Sequence, residues 1–134
     1  MADQNPVWVD TFKASASLVG KQGFFVELTA TGDREVALVN AATDQALGIA
    51  MDEPSVAGRP VVVGIIGEFL VVSDGSGVAI APGDLIGTNA SGKAVKKATA
   101  DFSTRGIALD ASAADGTKIR ALLFAPGYFR TAAG

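Results

Sequence analysis

Two aspartates in closely similar surroundings are the residues whose type and spacing could do chemistry. Asp52 lies in "GIAMDEPSVAG" at 48–58, and Asp110 lies in "GIALDASAADG" at 106–116. Two carboxylates held together can divide the general acid and general base roles, and a duplicated chain can bring such a pair together. Alternatively, each aspartate ends a strand by accepting hydrogen bonds from nearby backbone amides. The small-residue loops that follow favour this strand-ending interpretation.

The composition removes most other routes to catalysis. The 134-residue sequence contains no histidine and no cysteine, so it lacks the commonest general base, the thiol nucleophile and the thiolate metal ligand. The "SDGSG" loop at 73–77 lacks the lysine and the following helix of a phosphate-binding loop. Calcium-loop spacing is absent from the acidic residues Asp3, Asp10, Glu27, Asp33 and Glu35. We therefore expect no catalytic residue, no metal and no cofactor.

The charge and hydropathy patterns also limit the partners. The formal net charge is −3, which attracts neither nucleic-acid phosphates nor anionic lipids. The one basic cluster, Lys93, Lys96 and Lys97, is typical of a solvated strand face. The most apolar run, at 60–72, is too short to span a bilayer and contains Glu68. We expect a soluble chain with no nucleic-acid or membrane partner.

The two similar segments form an ungapped internal repeat with an offset of 58 residues. In each copy, the isoleucine and the following Met51 or Leu109 should share one strand face, so that the two copies contribute to one core. The aspartate then ends the strand, and the last glycine allows the turn into the next strand. The matched positions are Gly48, Ile49, Asp52 and Gly58 in the first copy, and Gly106, Ile107, Asp110 and Gly116 in the second.

The remaining pattern predicts an all-β fold, either a small β-barrel or a β-sandwich with an internal pseudo-duplication. The chain has 16 glycines, and turn signals recur roughly every 8–12 residues. Two apolar strands are predicted within 59–77, where Gly64 and Gly67 mark a bulge or a close approach of backbone. Short helical turns are conceivable only at 41–47 and 96–102.

The N-terminal residues differ from the rest in composition, because they are polar and rich in small residues. We predict an extended arm over 1–20 and a β-barrel or β-sandwich domain over 21–134. Trp8, Val9 and Phe12 are the candidate arm anchors that would contact a partner, because aromatic residues dominate many interfaces. Deleting the arm should then leave the domain folded. The alternatives are a frayed tail, an irregular edge strand, or a Trp8 that packs on its own barrel.

The sequence resembles the small β-rich capsid decoration proteins, or cement proteins, of tailed bacteriophages. The resemblance rests on a Gly83-Asp84 turn, a "SGKA" segment at 91–94, "GIAL" at 106–109 and an apolar final strand at 119–124. It covers roughly 35–126 and leaves the predicted arm outside.

This resemblance implies a non-enzymatic virion protein with no catalytic residues to carry over. Such a protein would bind the outer surface of the icosahedral head as a homotrimer and join neighbouring subunits of the major capsid protein. Two alternatives remain open at this point: another virion module such as a head spike or a tail component, or a small ligand-binding barrel.

Overall fold

The structure is a computed structural model that describes residues 7–98 and 103–124, and every regular element in those ranges is a strand. The strands are β1 (Trp8–Ala14), β2 (Phe25–Leu28), β3 (Glu35–Leu38), β4 (Gly48–Ala50), β5 (Pro60–Asp74), β6 (Leu85–Thr88), β7 (Ala94–Lys96), β8 (Gly106–Ala108) and β9 (Asp115–Leu123). The segment 41–47 forms turns rather than a helix, and the second helical candidate extends beyond the described residues at 99–102. None of the described residues belongs to a helix that could cross a membrane.

The strands form two closed circuits that share β5. The order along the sheet is β1-β3-β2-β4-β5-β7-β6-β8-β9, and β5 pairs additionally with both β1 and β9. Residues 60–66 of β5 therefore close barrel 1 with β1 to β4, while residues 67–74 close barrel 2 with β6 to β9. The all-β prediction is confirmed, and of its two architectures the structure has the small barrel.

The two barrels have the same strand registers. In barrel 1, Ile49 lies opposite Gly64 across β4 and β5. In barrel 2, Ile107 lies opposite Leu122 across β8 and β9, so both members of the pair are displaced by 58 residues. The parallel contact of β1 with β3 likewise recurs between β5 and β7. The repeat found in the sequence is thus one complete barrel, and β5 ends the first copy and begins the second.

Each barrel has its own buried core. The barrel 1 core consists of Phe12, Ala14, Leu18, Val26, Val36, Ala50, Val61, Val63 and Ile65. Val71, Ile86, Ala94, Ala108, Ile119, Ala121 and Leu123 are among the residues that fill barrel 2. Ala50 and Ala108 are fully buried, whereas Met51 is 37% exposed and Leu109 is 40% exposed. The prediction that Ile107 and Leu109 are core residues is wrong, because alternation along β8 turns Ala108 inward and its neighbours outward.

Barrel 2 covers an outer face of barrel 1. Phe25 and Ile49 point out of barrel 1 but are buried in the core cluster that contains Phe69 of barrel 2. A Cβ added at Gly64 would lie 2.7 Å from the ring of Phe69, so this glycine makes room for the ring. The close approach of backbone expected at Gly64 is confirmed on the side of β4, where a Cβ added at Gly48 would lie 2.1 Å from the Gly64 carbonyl oxygen. The run 60–74 is one strand rather than two.

Backbone hydrogen bonds join the barrels beside this contact. The amide of Phe25 donates to the carbonyl oxygen of Gly92 at 2.7 Å, and the amide of Val72 donates to the carbonyl oxygen of Gly23 at 2.9 Å. Barrel 1 therefore supplies one donor and one acceptor to the backbone of Val72 and Gly92, in the rim of barrel 2. These bonds and the buried apolar contact fix the relative orientation of the two barrels.

The segment predicted as an arm contains a strand of barrel 1. Residues 8–14 form β1, which pairs with β5 over six positions and touches β3 through Lys13 and Ala14. Phe12 is 8% exposed and belongs to the barrel 1 core. A deletion of 1–20 would remove a wall of the barrel, so the expectation that the remainder folds without this segment conflicts with the structure. Residues 1–6 lie outside the described residues.

Candidate functional site

The two aspartates of the repeat have the same structural role. Asp52 Oδ1 accepts a hydrogen bond from the backbone amide of Val62 at 3.2 Å. Asp110 Oδ2 accepts one from the amide of Arg120 at 2.9 Å. In both copies the donor lies 10 residues after the aspartate, at the point where the next strand runs back alongside. Each carboxylate thus caps the edge of its own strand pair.

The surroundings of these carboxylates do not suit catalysis. The backbone hydrogen bond from Arg120 lowers the pKa of Asp110, and the Arg120 side chain lowers it further. A carboxyl group with a lowered pKa is a poor proton donor at neutral pH. Asp52 lies beside an open groove lined by Glu53, Arg59 and neighbouring residues. Within the described part of the chain, no group of three or more acidic residues could hold a metal ion.

The glycines that open the two repeats are required by close backbone contact. A Cβ added at Gly48 would lie 2.1 Å from the carbonyl oxygen of Gly64, and one at Gly106 would lie 2.3 Å from that of Leu122. Gly58 and Gly116, which close the repeats, have φ angles of 90° and 84°, a region that side chains rarely adopt. The repeated residues therefore specify a turn-and-strand geometry.

The start of β1 exposes a run of apolar side chains. Val7 is 50% exposed, Trp8 is 48% exposed and Val9 is 44% exposed. Neighbouring exposed apolar side chains often mark a surface that binds a partner. Tryptophan in particular is enriched at the centres of protein interfaces. Of the three predicted anchors, Trp8 and Val9 are accessible and Phe12 is not.

Phe12 instead helps to close one end of barrel 1. The Arg34 guanidinium lies 4.5 Å from the centre of the Phe12 ring. Its Nη2 also forms a 3.0 Å ion pair with Asp10 and donates to the carbonyl oxygen of Thr11 at 2.8 Å. These contacts satisfy the polar groups at the rim of barrel 1 from within the chain.

Arg105 is a buried charge that the sequence analysis did not single out. Its Nη2 donates to the carbonyl oxygens of Leu47 at 2.7 Å and Ile65 at 3.3 Å, and its Nη1 donates to that of Phe124. The side chain thus links both barrels to the end of β9. Burial lowers the pKa of Arg105 to about 10, which still leaves the guanidinium charged at neutral pH.

One signal for Arg105 was present in the sequence. Arg105 aligns with Leu47 under the 58-residue offset, so a charged residue stands where the first copy has an apolar one. A charge at a position where the first copy has an apolar residue usually has a specific set of partners when it is buried. Among the described residues, no acceptor lies within hydrogen-bond distance of Arg105 Nε.

Comparison with known proteins agrees with a structural role. The sequence profile of the phage cement protein family matches residues 4–123. The chain belongs to the phage cement protein family. It is therefore a decoration protein of phage heads, and its family is one of structural proteins rather than enzymes. The match begins inside the segment that the sequence analysis set apart as an arm. No curated protein sequence matches the chain.

A solved structure of a phage head fiber base has a similar fold. The cement protein is similar to the head fiber gp8.5 N base of bacteriophage phi29, with a TM-score of 0.64 and 16% sequence identity. The alignment covers 91% of this chain and 98% of that one. At this level of identity the likeness establishes the fold alone.

Proposed function

We propose that this cement protein binds the outer surface of the phage head and stabilises the contacts between neighbouring subunits of the major capsid protein. Family membership places the chain among head decoration proteins. The observation that carries the finer proposal is the exposed apolar run at the start of β1, where Trp8 is 48% exposed. A protein that exposes a tryptophan between two exposed valines is suited to bind another protein.

Trp8 and Val9 are the proposed contacts with the major capsid protein. Both lie on a strand that pairs with β5, so their positions are fixed before binding and little ordering entropy is lost. Phe12 supports this strand from inside barrel 1. The net charge of −3 suits a protein that lies outside the shell, away from packaged DNA.

We also propose that the protein acts as a homotrimer. A closed three-fold assembly would let each copy present the same apolar run to equivalent capsid subunits. The two barrels share β5, so each copy is one continuous unit. Multiple weak contacts per trimer would then add up through avidity.

The test uses heads that lack the protein. Wild-type protein should bind them and raise the temperature at which they release DNA, whereas Trp8→Ala should bind with at least tenfold lower affinity. Val56→Ala is the matched control, because Val56 is 53% exposed and lies in the loop between β4 and β5. Equal binding by Trp8→Ala and wild type would contradict the contact assignment. A reconstruction that places the chain anywhere but on the capsid surface would contradict the cement role.

A further inference from the structure

One edge of β1 faces away from β5 and carries backbone groups at alternate residues. Val62 of β5 lies opposite Thr11, and its carbonyl oxygen accepts the amide of Met51 at 2.8 Å, on the side of β4. Val62 therefore does not bond Thr11, whose own backbone groups point away from β5. The Arg34 side chain confirms this direction, because its Nη2 donates to the carbonyl oxygen of Thr11 at 2.8 Å. We call this side of β1 the outer edge.

The same geometry places the backbone of Val9 on the outer edge. Val9 lies opposite Gly64, and Gly64 is itself paired with Ile49 of β4. The Gly64 carbonyl oxygen points towards β4, where a Cβ added at Gly48 would lie 2.1 Å from it. Val9 and Gly64 are thus a pair without mutual hydrogen bonds, and the amide and carbonyl oxygen of Val9 point outward.

The fold covers only part of the outer edge. β3 pairs with it from Lys13 onwards, and there the Lys13 amide donates to the carbonyl oxygen of Arg34 at 2.8 Å. The Arg34 side chain covers Thr11 and forms its ion pair with Asp10. Among the residues that the structure describes, no strand pairs with this edge at Val9. A strand edge of this kind is a template for another extended chain.

We propose that an extended segment of the major capsid protein adds to the outer edge of β1 and hydrogen-bonds the backbone of Val9. Strand addition takes its affinity from main-chain hydrogen bonds and its specificity from the side chains beside them. Trp8 is 48% exposed and Val9 is 44% exposed, so apolar side chains flank the backbone groups that would be bonded. The inference rests on the proposed function and deepens it, because it names how the capsid segment is held.

The open part of the outer edge is short and is held in place before binding. A Cβ added at Gly67 would lie 3.2 Å from the side chain of Val7, so the chain stays against β5 up to the first residue of β1. At the other end, the Arg34 guanidinium occupies the carbonyl oxygen of Thr11. An added strand would therefore bond at Val9 and end before Thr11, which sets its register.

The chemistry of the edge favours a different chain over a second copy of this one. A backbone amide and a backbone carbonyl oxygen on one residue are both bonded by an extended segment, whatever its side chains. A second copy would offer the same short edge, and two such edges pair about a two-fold axis. That arrangement conflicts with the proposed homotrimer, whereas a capsid segment at each copy is compatible with it.

The first test separates the backbone of Val9 from its side chain, with the full-length protein and heads that lack it. Val9→Pro removes the amide donor, and because this amide points away from β5 the pairing of β1 with β5 is kept. Val9→Ala retains the amide and is the matched control. We expect Val9→Pro to bind heads about tenfold more weakly than Val9→Ala, with both variants folded by circular dichroism melting. Equal affinities of the two folded variants overturn the inference.

Hydrogen exchange of the wild-type protein tests the same bond without a substitution. The Val9 amide should exchange rapidly in the free protein and about tenfold more slowly when the protein is bound to heads. Slow exchange in the free protein would mean that this chain or a second copy already occupies the edge, and would overturn the inference. Rapid exchange on heads would overturn it as well.

The two proposals fail in different ways. If Trp8→Ala loses head binding while Val9→Pro binds as well as Val9→Ala, the capsid contact stands and strand addition is wrong. If neither Trp8→Ala nor Val9→Pro loses binding, the contact assignment itself is wrong. Weaker binding by both variants, with protection of the Val9 amide on heads, supports both proposals.

Discussion

Arg105 Nη2 donates a 2.7 Å hydrogen bond to the carbonyl oxygen of Leu47, the residue that occupies its own position in the first repeat. The second copy of the repeat thus carries a side chain that binds the backbone of the first. Because Arg105 also reaches Ile65 and Phe124, one guanidinium joins β5, β9 and the loop before β4. The duplication has diverged at this position to join the two barrels.

Replacing Arg105 with methionine should destabilise the fold. The carbonyl oxygens of Leu47 and Phe124 would lose a charged donor in a buried site, which costs about 1–3 kcal/mol for each group left unsatisfied. We expect the free energy of unfolding to fall by about 2–4 kcal/mol, measured by urea denaturation. Arg59→Met, at an exposed arginine, should change it by less than about 0.5 kcal/mol. Equal effects of the two substitutions would show that the buried bonds contribute nothing.

Gly106→Ala should be costly because the new methyl group has no space. Its Cβ would lie 2.3 Å from the carbonyl oxygen of Leu122, so β8 and β9 would have to separate. Overpacking of this kind costs about 1–3 kcal/mol or more, which thermal unfolding would show as a lower Tm. At Gly77 no atom lies within 4 Å of an added Cβ, so Gly77→Ala should be nearly neutral. A Tm for Gly106→Ala indistinguishable from that of wild type would refute the close contact.

The contact of Gly64 with Phe69 should appear as energetic coupling. Gly64→Ala alone should destabilise the protein by about 1–3 kcal/mol, because its Cβ would lie 2.7 Å from the Phe69 ring. Phe69→Leu removes the ring and should recover part of that loss in the double variant. A double-mutant cycle measured by denaturant unfolding should give a coupling of at least about 0.5 kcal/mol. Additive effects would mean that the barrels do not meet at this point.

The role of Asp110 predicts a pH dependence of stability. Hydrogen bonds from Arg120 lower the pKa of Asp110 in the folded protein. A lowered folded pKa gives stability that is fully present above the unfolded value, about 3.9, and is lost as the pH falls through the folded value. Asp110→Asn should therefore unfold more readily than wild type at pH 7, and the difference should shrink as the pH falls below about 4.

The matched control for this pH dependence is Asp33→Asn, at an exposed aspartate in the turn before β3. This variant should show no comparable change in its difference from wild type. A constant difference between Asp110→Asn and wild type from neutral pH down to about pH 3 would contradict the role assigned to the carboxylate. Tm values measured across this range for all three proteins provide the comparison.

The sequence by itself determined the repeat and the residues that define its geometry. The glycine, the alternating apolar residues and the aspartate of each copy recur at a constant offset, because both barrels need the same turn and the same close strand contact. The sequence indicated a strand-ending role for Asp52 and Asp110. The amide that each carboxylate binds lies 10 residues later in the adjacent strand, so strand pairing rather than local backbone geometry selects that partner. A chain without histidine and cysteine has no imidazole or thiol chemistry, whichever fold it adopts.

Only the tertiary structure decided how the two copies join. The run at 60–72 carries no local signal that it is one strand shared by two barrels, because its glycines would equally suit a turn between two strands. Residues 8–14 look like an arm in isolation and become a barrel wall only when β5 lies beside them. The burial of an outward-facing residue depends on long-range contacts between the barrels. Ile49 is buried because barrel 2 lies on it, whereas Leu122 is 41% exposed.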